Sequence, residues 1–131
     1  MAAPDFLPNW EQIGPQFVQY YYNTFDTNRD GVVALYHPSA LMTFEGSQAQ
    51  GQENIREALT KKVSFASIQH AITKVDCQPT PDRGIIILVT GRLKTDEDHP
   101  HAFSQTFYVK AEGDSFFILH DIFRLSLHNS V

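Results

Sequence analysis

The chain has 131 residues, 42% of them hydrophobic and 19% charged, with a net charge of −5. That is one ordinary globular domain, 1–131, and too small to bury more than about two-thirds of its unfolded surface without a partner. Lys and Arg are scattered, which argues against nucleic acid and points to a basic partner surface. No apolar run reaches membrane-spanning length, the first ten residues lack the pattern of a signal peptide, and a lone Cys77 cannot form an internal disulfide.

Residues 1–8 contain two prolines and are expected to form a flexible tail. Trp10, Ile13, Phe17, Val18, Tyr21 and Phe25 then recur at steps of three and four, the signature of an amphipathic helix. Asn9 followed by Gln12 has the form of a capping box. Pro15 allows two readings: a kink within this helix, or a regular helix that starts there. Asp30-Gly31 ends it, and Val32 to Tyr36 form a short second helix. Leu41 to Phe44 and Ser47 to Gln50 read as strands around Glu45-Gly46. Gly51 opens a third helix, with Ile55, Ala58 and Leu59 on one face and Glu57 one turn from Lys61.

The rest reads as strands. Ser67 to Asp76 precedes the turn cluster Gln78-Pro79-Thr80-Pro81-Asp82. Gly84 to Lys94 carries Ile85-Ile86-Ile87-Leu88-Val89, a run suited to a strand covered on both faces. In an otherwise antiparallel sheet, such cover implies a second subunit. Thr95 to His99 is an acidic loop, Ala102 to Lys110 alternates strictly, and Phe116 to Leu127 is the last strand. Helices first and strands later give an α+β class: a cone-shaped, curved antiparallel sheet packed on three α-helices, with an open apolar cavity.

Four constellations could carry chemistry. Asp26 to Gly31 matches the first half of a calcium-binding loop, but His37 occupies the position that needs a bidentate Glu; a helix-ending turn is the plainer reading. His99 and His101 beside Asp98 lack a third ligand, so no metal or other cofactor is expected. His70 shares a strand face with Ile68 and Ile72, and Asp121 one with Leu119 and Phe123. If both faces line the cavity, the pair meets in an apolar pocket, either for acid–base work or to satisfy a buried His. Asp96-Glu97-Asp98 and Glu45 are either solvated tips or receivers of a partner's Lys and Arg.

Six segments, taken in order over nearly the whole chain, carry a resemblance: Trp10-Glu11-Gln12-Ile13-Gly14, Thr43-Phe44-Glu45-Gly46, Ile68-Gln69-His70, Gln78-Pro79-Thr80-Pro81-Asp82, Leu93-Lys94-Thr95-Asp96-Glu97-Asp98, and Phe123-Arg124-Leu125-Ser126-Leu127-His128-Asn129. Together they resemble the nuclear transport factor 2 family. The resemblance implies a homodimer joined through its sheet that imports the GDP form of the GTPase Ran and contacts Phe-Gly repeat nucleoporins, in cytoplasm and nucleus and enriched at the nuclear pore. It implies that Glu45, Asp96 and Asp98 meet basic Ran residues, that Phe44 and Phe123 line the mouth taking a Ran Phe, and that His70 belongs to the same Ran-binding set. Trp10 corresponds to the nucleoporin contact, and Leu88 and Ile122 to the dimer interface. Phe44 stands where Trp is familiar in the family, and Pro15 is also a departure.

The same resemblance leaves rivals. The architecture also hosts isomerase-like and dehydratase-like enzymes, as well as heterodimeric messenger-RNA export partners and adaptor domains. The carboxylates at Glu45 and 96–98 favour a carrier without catalytic residues.

Overall fold

A computed structural model describes residues 3–61, 66–96 and 98–126. Helix α1 (Trp10–Thr27) is followed by a 3-10 helix (Arg29–Leu35), strands β1 (Tyr36–Phe44) and β2 (Ser47–Gln50), helix α2 (Gln52–Thr60), and strands β3 (Ile68–Thr80), β4 (Gly84–Thr95), β5 (His101–Glu112) and β6 (Ser115–Leu125). The six strands form one curled sheet in the order β2-β1-β6-β5-β4-β3.

Two features of the expected architecture are corrected. The sheet is mixed, because β1 runs parallel to β6. β3 to β6 are successive hairpins and so antiparallel, whereas β1 meets β6 only after the intervening chain has crossed over, which permits a parallel pair. The middle helix is 3-10, not α. Its sequence, Arg-Asp-Gly-Val-Val-Ala-Leu, combines Gly with two β-branched residues, all poor α-helix formers. Asn28 caps it by accepting from Gly31 N at 3.2 Å.

Helix α1 runs through Pro15 without ending, and Asn9 does not cap it through its side chain. Asn9 instead adopts a left-handed conformation (φ 60°), which Asn tolerates, and its carbonyl accepts from Gln12 and Ile13. A Cβ on Gly14 would lie 2.4 Å from Cys77 Sγ, so glycine lets the helix approach β3 closely. Val18, Tyr21, Tyr22 and Phe25 face the sheet and are buried. The N-terminal segment, expected to be flexible, is tied down. Asp5 N donates to Pro81 O at 2.9 Å, Arg83 N donates to Asp5 O at 3.0 Å, and Leu7 is buried.

β3 extends to Thr80, so Pro79 belongs to the strand and the turn occupies only 81–83. As an edge-strand residue, its missing N–H costs no ladder bond. β6 ends at Leu125, with Ser126 already outside the strand, and Leu127 of the predicted strand lies outside the described residues. A bulge in β3 between Ile72 and Lys74 is accommodated by Gly91, whose Cβ would strike the Ala71 carbonyl at 2.4 Å. The inner row of β5, Phe103, Gln105, Phe107 and Val109, is buried as its alternation predicts. On β4, Ile85, Ile87 and Val89 are buried, while Ile86 and Leu88 stay 44% and 41% exposed; Ile122 on β6 is 51% exposed.

Candidate functional site

The register brings one end of every long strand together. Phe44 pairs with Phe123, Phe103 with Leu125, Leu93 with His101, and Ile68 with Thr95. The sequence segments that carry the predicted binding residues therefore converge on one end of the sheet, although they are spread from 44 to 125.

Aromatic rings form the floor of that end. Phe44 stacks on Phe123 with centroids 4.7 Å apart and planes 6° apart. Phe123 stacks in turn on Phe103 at 5.5 Å, and Phe103 meets the His70 ring edge-on at 5.4 Å. Phe123 is buried while Phe44 is partly exposed, so Phe44 is the ring that can meet a ligand.

The carboxylates are held by backbone geometry. Glu45 (φ 51°) and Asp96 (φ 48°) both sit in the left-handed region, an uncommon one for residues other than glycine. Glu45 carries the sheet one step past β1: its N–H donates to Phe123 O at 3.1 Å, and its side chain accepts from Leu125 N. Asp96 accepts from Ser67 N at 2.9 Å, Ala66 N at 3.2 Å and the Ser67 hydroxyl at 3.2 Å. Donation from the Ser67 and Ala66 backbone holds its carboxyl below the usual carboxylate range, since those donors favour the charged form. Asp98 accepts from His99 N at 2.9 Å and lies 3.7 Å from His101 Nε2. Glu97, the middle of the acidic run, lies outside the described residues.

His70 and Asp121 do not share one pocket. The His70 side chain is 3% exposed, with Nδ1 2.6 Å from Asp26 Oδ1, and its backbone N–H donates to Asp26 Oδ2 at 2.9 Å. Asp121 instead accepts from Tyr36 OH at 2.6 Å and Gln105 Nε2 at 2.7 Å. Tyr21 OH lies 2.6 Å from Tyr36 OH, and Tyr22 OH donates to Gln105 Oε1 at 2.5 Å. These bonds join Tyr21, Tyr22, Tyr36, Gln105 and Asp121 into one polar network inside the sheet's curl. Burial pushes the Asp121 carboxyl up to about 6, against the pull of the Tyr36 and Gln105 donors. Burial likewise raises the Tyr21 and Tyr36 hydroxyls well above their ordinary value. Leu119 does not share the Asp121 face either. The β5–β6 pairing skips it, with Tyr108 opposite His120 and Val109 opposite Ile118, and Ile118 is the buried neighbour.

Sequence reasoning missed Asp26 as the His70 partner, because the two stand 44 residues apart. It also missed Tyr36 as a partner of the interior carboxylate, with Tyr21 bonded to Tyr36 and Tyr22 to Gln105 behind it. Gln105 was the available signal: an amide in a row of Phe and Val must find partners inside.

The calcium-like loop is spent on structure. Asp26 holds His70, Asn28 caps the 3-10 helix, and Asp30 pairs with Arg56 at 3.4 Å. Among the described residues, no group of three or more His, Cys, Asp or Glu is arranged to hold a metal. A cleft of about 620 Å³ opens beside His70, lined also by Asp26, Gln69, Arg92, Lys94 and Pro100.

Trp10, the first residue of α1, is partly exposed and packs its other side against the core. Leu88 and Ile122 lie in one cross-strand row through Thr106, on the outer face of the sheet.

The model of the nuclear transport factor 2 (NTF2) domain matches residues 13–125. The chain belongs to the nuclear transport factor 2 family. It is 42% identical to nuclear transport factor 2 of Emericella nidulans, over 91% of this chain and 97% of the relative. It is 39% identical to nuclear transport factor 2 of Saccharomyces cerevisiae, over 90% and 95%. Among solved structures, nuclear transport factor 2 of Cryptosporidium parvum superposes with a TM-score of 0.89 at 43% identity, covering 95% of this chain and all of that one. The family's match runs from within α1 to the end of β6.

Proposed function

We propose that this protein is a homodimeric nuclear transport carrier that binds the GDP form of Ran and, separately, Phe-Gly repeat nucleoporins, moving between cytoplasm and nucleus through the nuclear pore. The observation that carries the reading is the convergence of Phe44, Glu45, Phe123, Asp96 and Asp98 at one end of the sheet in a chain of this family. An inserted Phe ring against Phe44 contributes roughly 1.5–3 kcal/mol by burial. Carboxylates around it supply selectivity for a basic surface and speed of encounter. Glu45 is pre-set for this role, since its backbone and one side-chain oxygen are already fixed by β6. His70, held by Asp26, supports the aromatic floor through Phe103. Trp10 offers its open side to a Phe-Gly repeat, and Leu88 and Ile122 meet the second copy.

The role is binding rather than catalysis. The interior acid, Asp121, is 1% exposed, and both its oxygens accept bonds from the protein's own side chains, so no face of it is open to a substrate.

Calorimetry against Ran loaded with GDP or GTP tests the reading. Binding is expected for the GDP form only, and Glu45→Lys is expected to cost about 2–5 kcal/mol with the fold intact. Trp10→Ala in the same experiment should leave Ran affinity unchanged and lose affinity for a Phe-Gly repeat peptide. Equal binding of both nucleotide forms, or a Glu45→Lys variant that binds like the parent, would overturn the proposal.

A further inference from the structure

The pairing of β3 with β4 ends at Ile68 and Thr95. One step beyond, Ser67 faces Asp96, and there the ladder changes its acceptor. Asp96 N donates to Ser67 O at 3.1 Å, as an antiparallel pair requires. The return bond from Ser67 N goes to the side chain instead, to Asp96 Oδ1 at 2.9 Å. Asp96 has left the extended conformation (φ 48°), a step that Asp tolerates, and its carboxylate takes the ladder's next accepting place.

Two more donors converge on that carboxylate. The Ser67 hydroxyl donates to Oδ1 at 3.2 Å, and Ala66 N is shared between Oδ1 and Oδ2, both at 3.2 Å. Arg29 holds the same stretch through its carbonyl: Nη2 donates to Ala66 O at 3.1 Å, while Nη1 reaches Leu59 O at 3.3 Å. The donors therefore gather on Oδ1, and Oδ2 keeps the greater share of its accepting capacity. Ser67 and Asp96 are both exposed, so this geometry stands at the surface where a partner arrives. Asp98 offers a contrast. Its carboxylate is engaged within its own turn, by His99 N at 2.9 Å and by His101 Nε2 at 3.7 Å, whereas Asp96 is tied to a strand end 29 residues away.

We propose that Ser67 is a positioning residue of the candidate binding site: without touching the partner, it fixes Asp96 Oδ1 so that Oδ2 is presented to an incoming Lys or Arg. An acid whose side chain is already ordered loses less freedom on binding. Donors that favour the anion also keep it charged. The amide at position 67 comes with every residue except proline, but the hydroxyl needs Ser or Thr, so the hydroxyl is where the sequence makes the choice. The proposal rests on the carrier reading for the identity of the partner, and on the Ser67–Asp96 geometry for everything else.

The test makes two measurements on the full chain and on Ser67→Ala, Ser67→Thr and Ser67→Asp. The first is a carbon-13 NMR titration of the Asp96 carboxyl with no partner present. Ser67→Ala removes a donor to the anion, so the midpoint should rise; Ser67→Asp sets a like charge beside it and should raise it further. Ser67→Thr keeps the hydroxyl and should return the parent midpoint. The second is calorimetry against GDP-loaded Ran. Ser67→Ala should bind roughly threefold to tenfold more weakly, Ser67→Asp at least about tenfold more weakly, and Ser67→Thr like the parent, with urea midpoints matched to show that the fold is intact. A titration unmoved by Ser67→Ala overturns the proposal whatever Ran does. A moved titration with undiminished Ran affinity overturns the part Ser67 plays in binding, and a Ser67→Thr variant that behaves like Ser67→Ala overturns the part of the hydroxyl. A parent chain that does not bind Ran sinks the carrier reading instead, and the titration alone then decides whether Ser67 fixes the carboxylate.

Discussion

The two faces of the sheet solve opposite problems. Inside, Phe103, Phe107 and Ile87 are buried, and the one carboxylate among them is answered by Tyr36 and Gln105. Outside, on the same strands and one residue away, Ile86, Leu88 and Ile122 remain open. A chain of this size leaves apolar atoms exposed as a matter of course. Here, though, Leu88 and Ile122 share one cross-strand row, with Ile86 in the next, so they present a patch and not scattered side chains, the pattern of a protein interaction surface. The inner face is packed within one chain, whereas the outer face keeps Ile86, Leu88 and Ile122 open.

Neighbouring residues on β4 break this comparison most sharply. Ile87→Ala opens a cavity in the core and should cost about 2–5 kcal/mol of folding stability, read from denaturant unfolding. Leu88→Glu should leave monomer stability nearly untouched and abolish self-association, because a charge buried against a second copy without a partner costs about 3–5 kcal/mol. Sedimentation velocity reads the second effect. If Leu88→Glu sediments like the parent, the outer face is not the dimer interface.

The sequence foretold the element order, the inner row of β5 and the core-facing side of α1, because alternation and helical spacing report which side chains face the core. It assigns binding residues only through resemblance. Spacing does not reveal that Glu45 and Asp96 adopt left-handed backbone, nor that Asp96 ties down residues 66 and 67. The pairing of His70 with Asp121 failed for a physical reason. Alternation gives a side chain's face but not its depth, so two inward-pointing groups on separate strands can each find a different partner. Leu119 failed because a bulge shifts alternation by one residue, and bulges leave little trace in sequence.

The interior carboxylate sharpens the contrast through pH. Burial raises the folded pKa of Asp121 to about 6 from its ordinary value of 3.8. Between those values the folded state holds a proton that the unfolded state has lost. Stability from this group is therefore fully present at the acid side and declines as pH rises from about 4 to about 6. That difference corresponds to roughly 3 kcal/mol. Asp121→Asn should remove that segment of the stability–pH profile, measured by urea unfolding at a series of pH values. A profile unchanged by the substitution would mean that the carboxyl is not held neutral by burial.

Tyr21 gives the finest test, because its effect is small and has a direction. Its hydroxyl meets the Tyr36 oxygen at 2.6 Å, with the Gln105 side chain also in reach, and Tyr36 donates onward to Asp121. With Tyr36's proton committed to the carboxylate, Tyr21 is the donor of the first bond. Removing it in Tyr21→Phe leaves the ring packed against Phe107 and takes away one buried bond, worth about 1 kcal/mol. The second consequence follows from the chain of donors. A Tyr36 hydroxyl that no longer receives a bond is a weaker donor, so the Asp121 anion loses support and its pKa should rise further. The decline in stability with pH should then move to higher pH. Tyr20→Phe, one residue away on the exposed side of α1 at 59% exposure, should change neither quantity. A Tyr21→Phe variant with lowered stability but an unmoved pH midpoint would show that Tyr21 packs beside the network without feeding it.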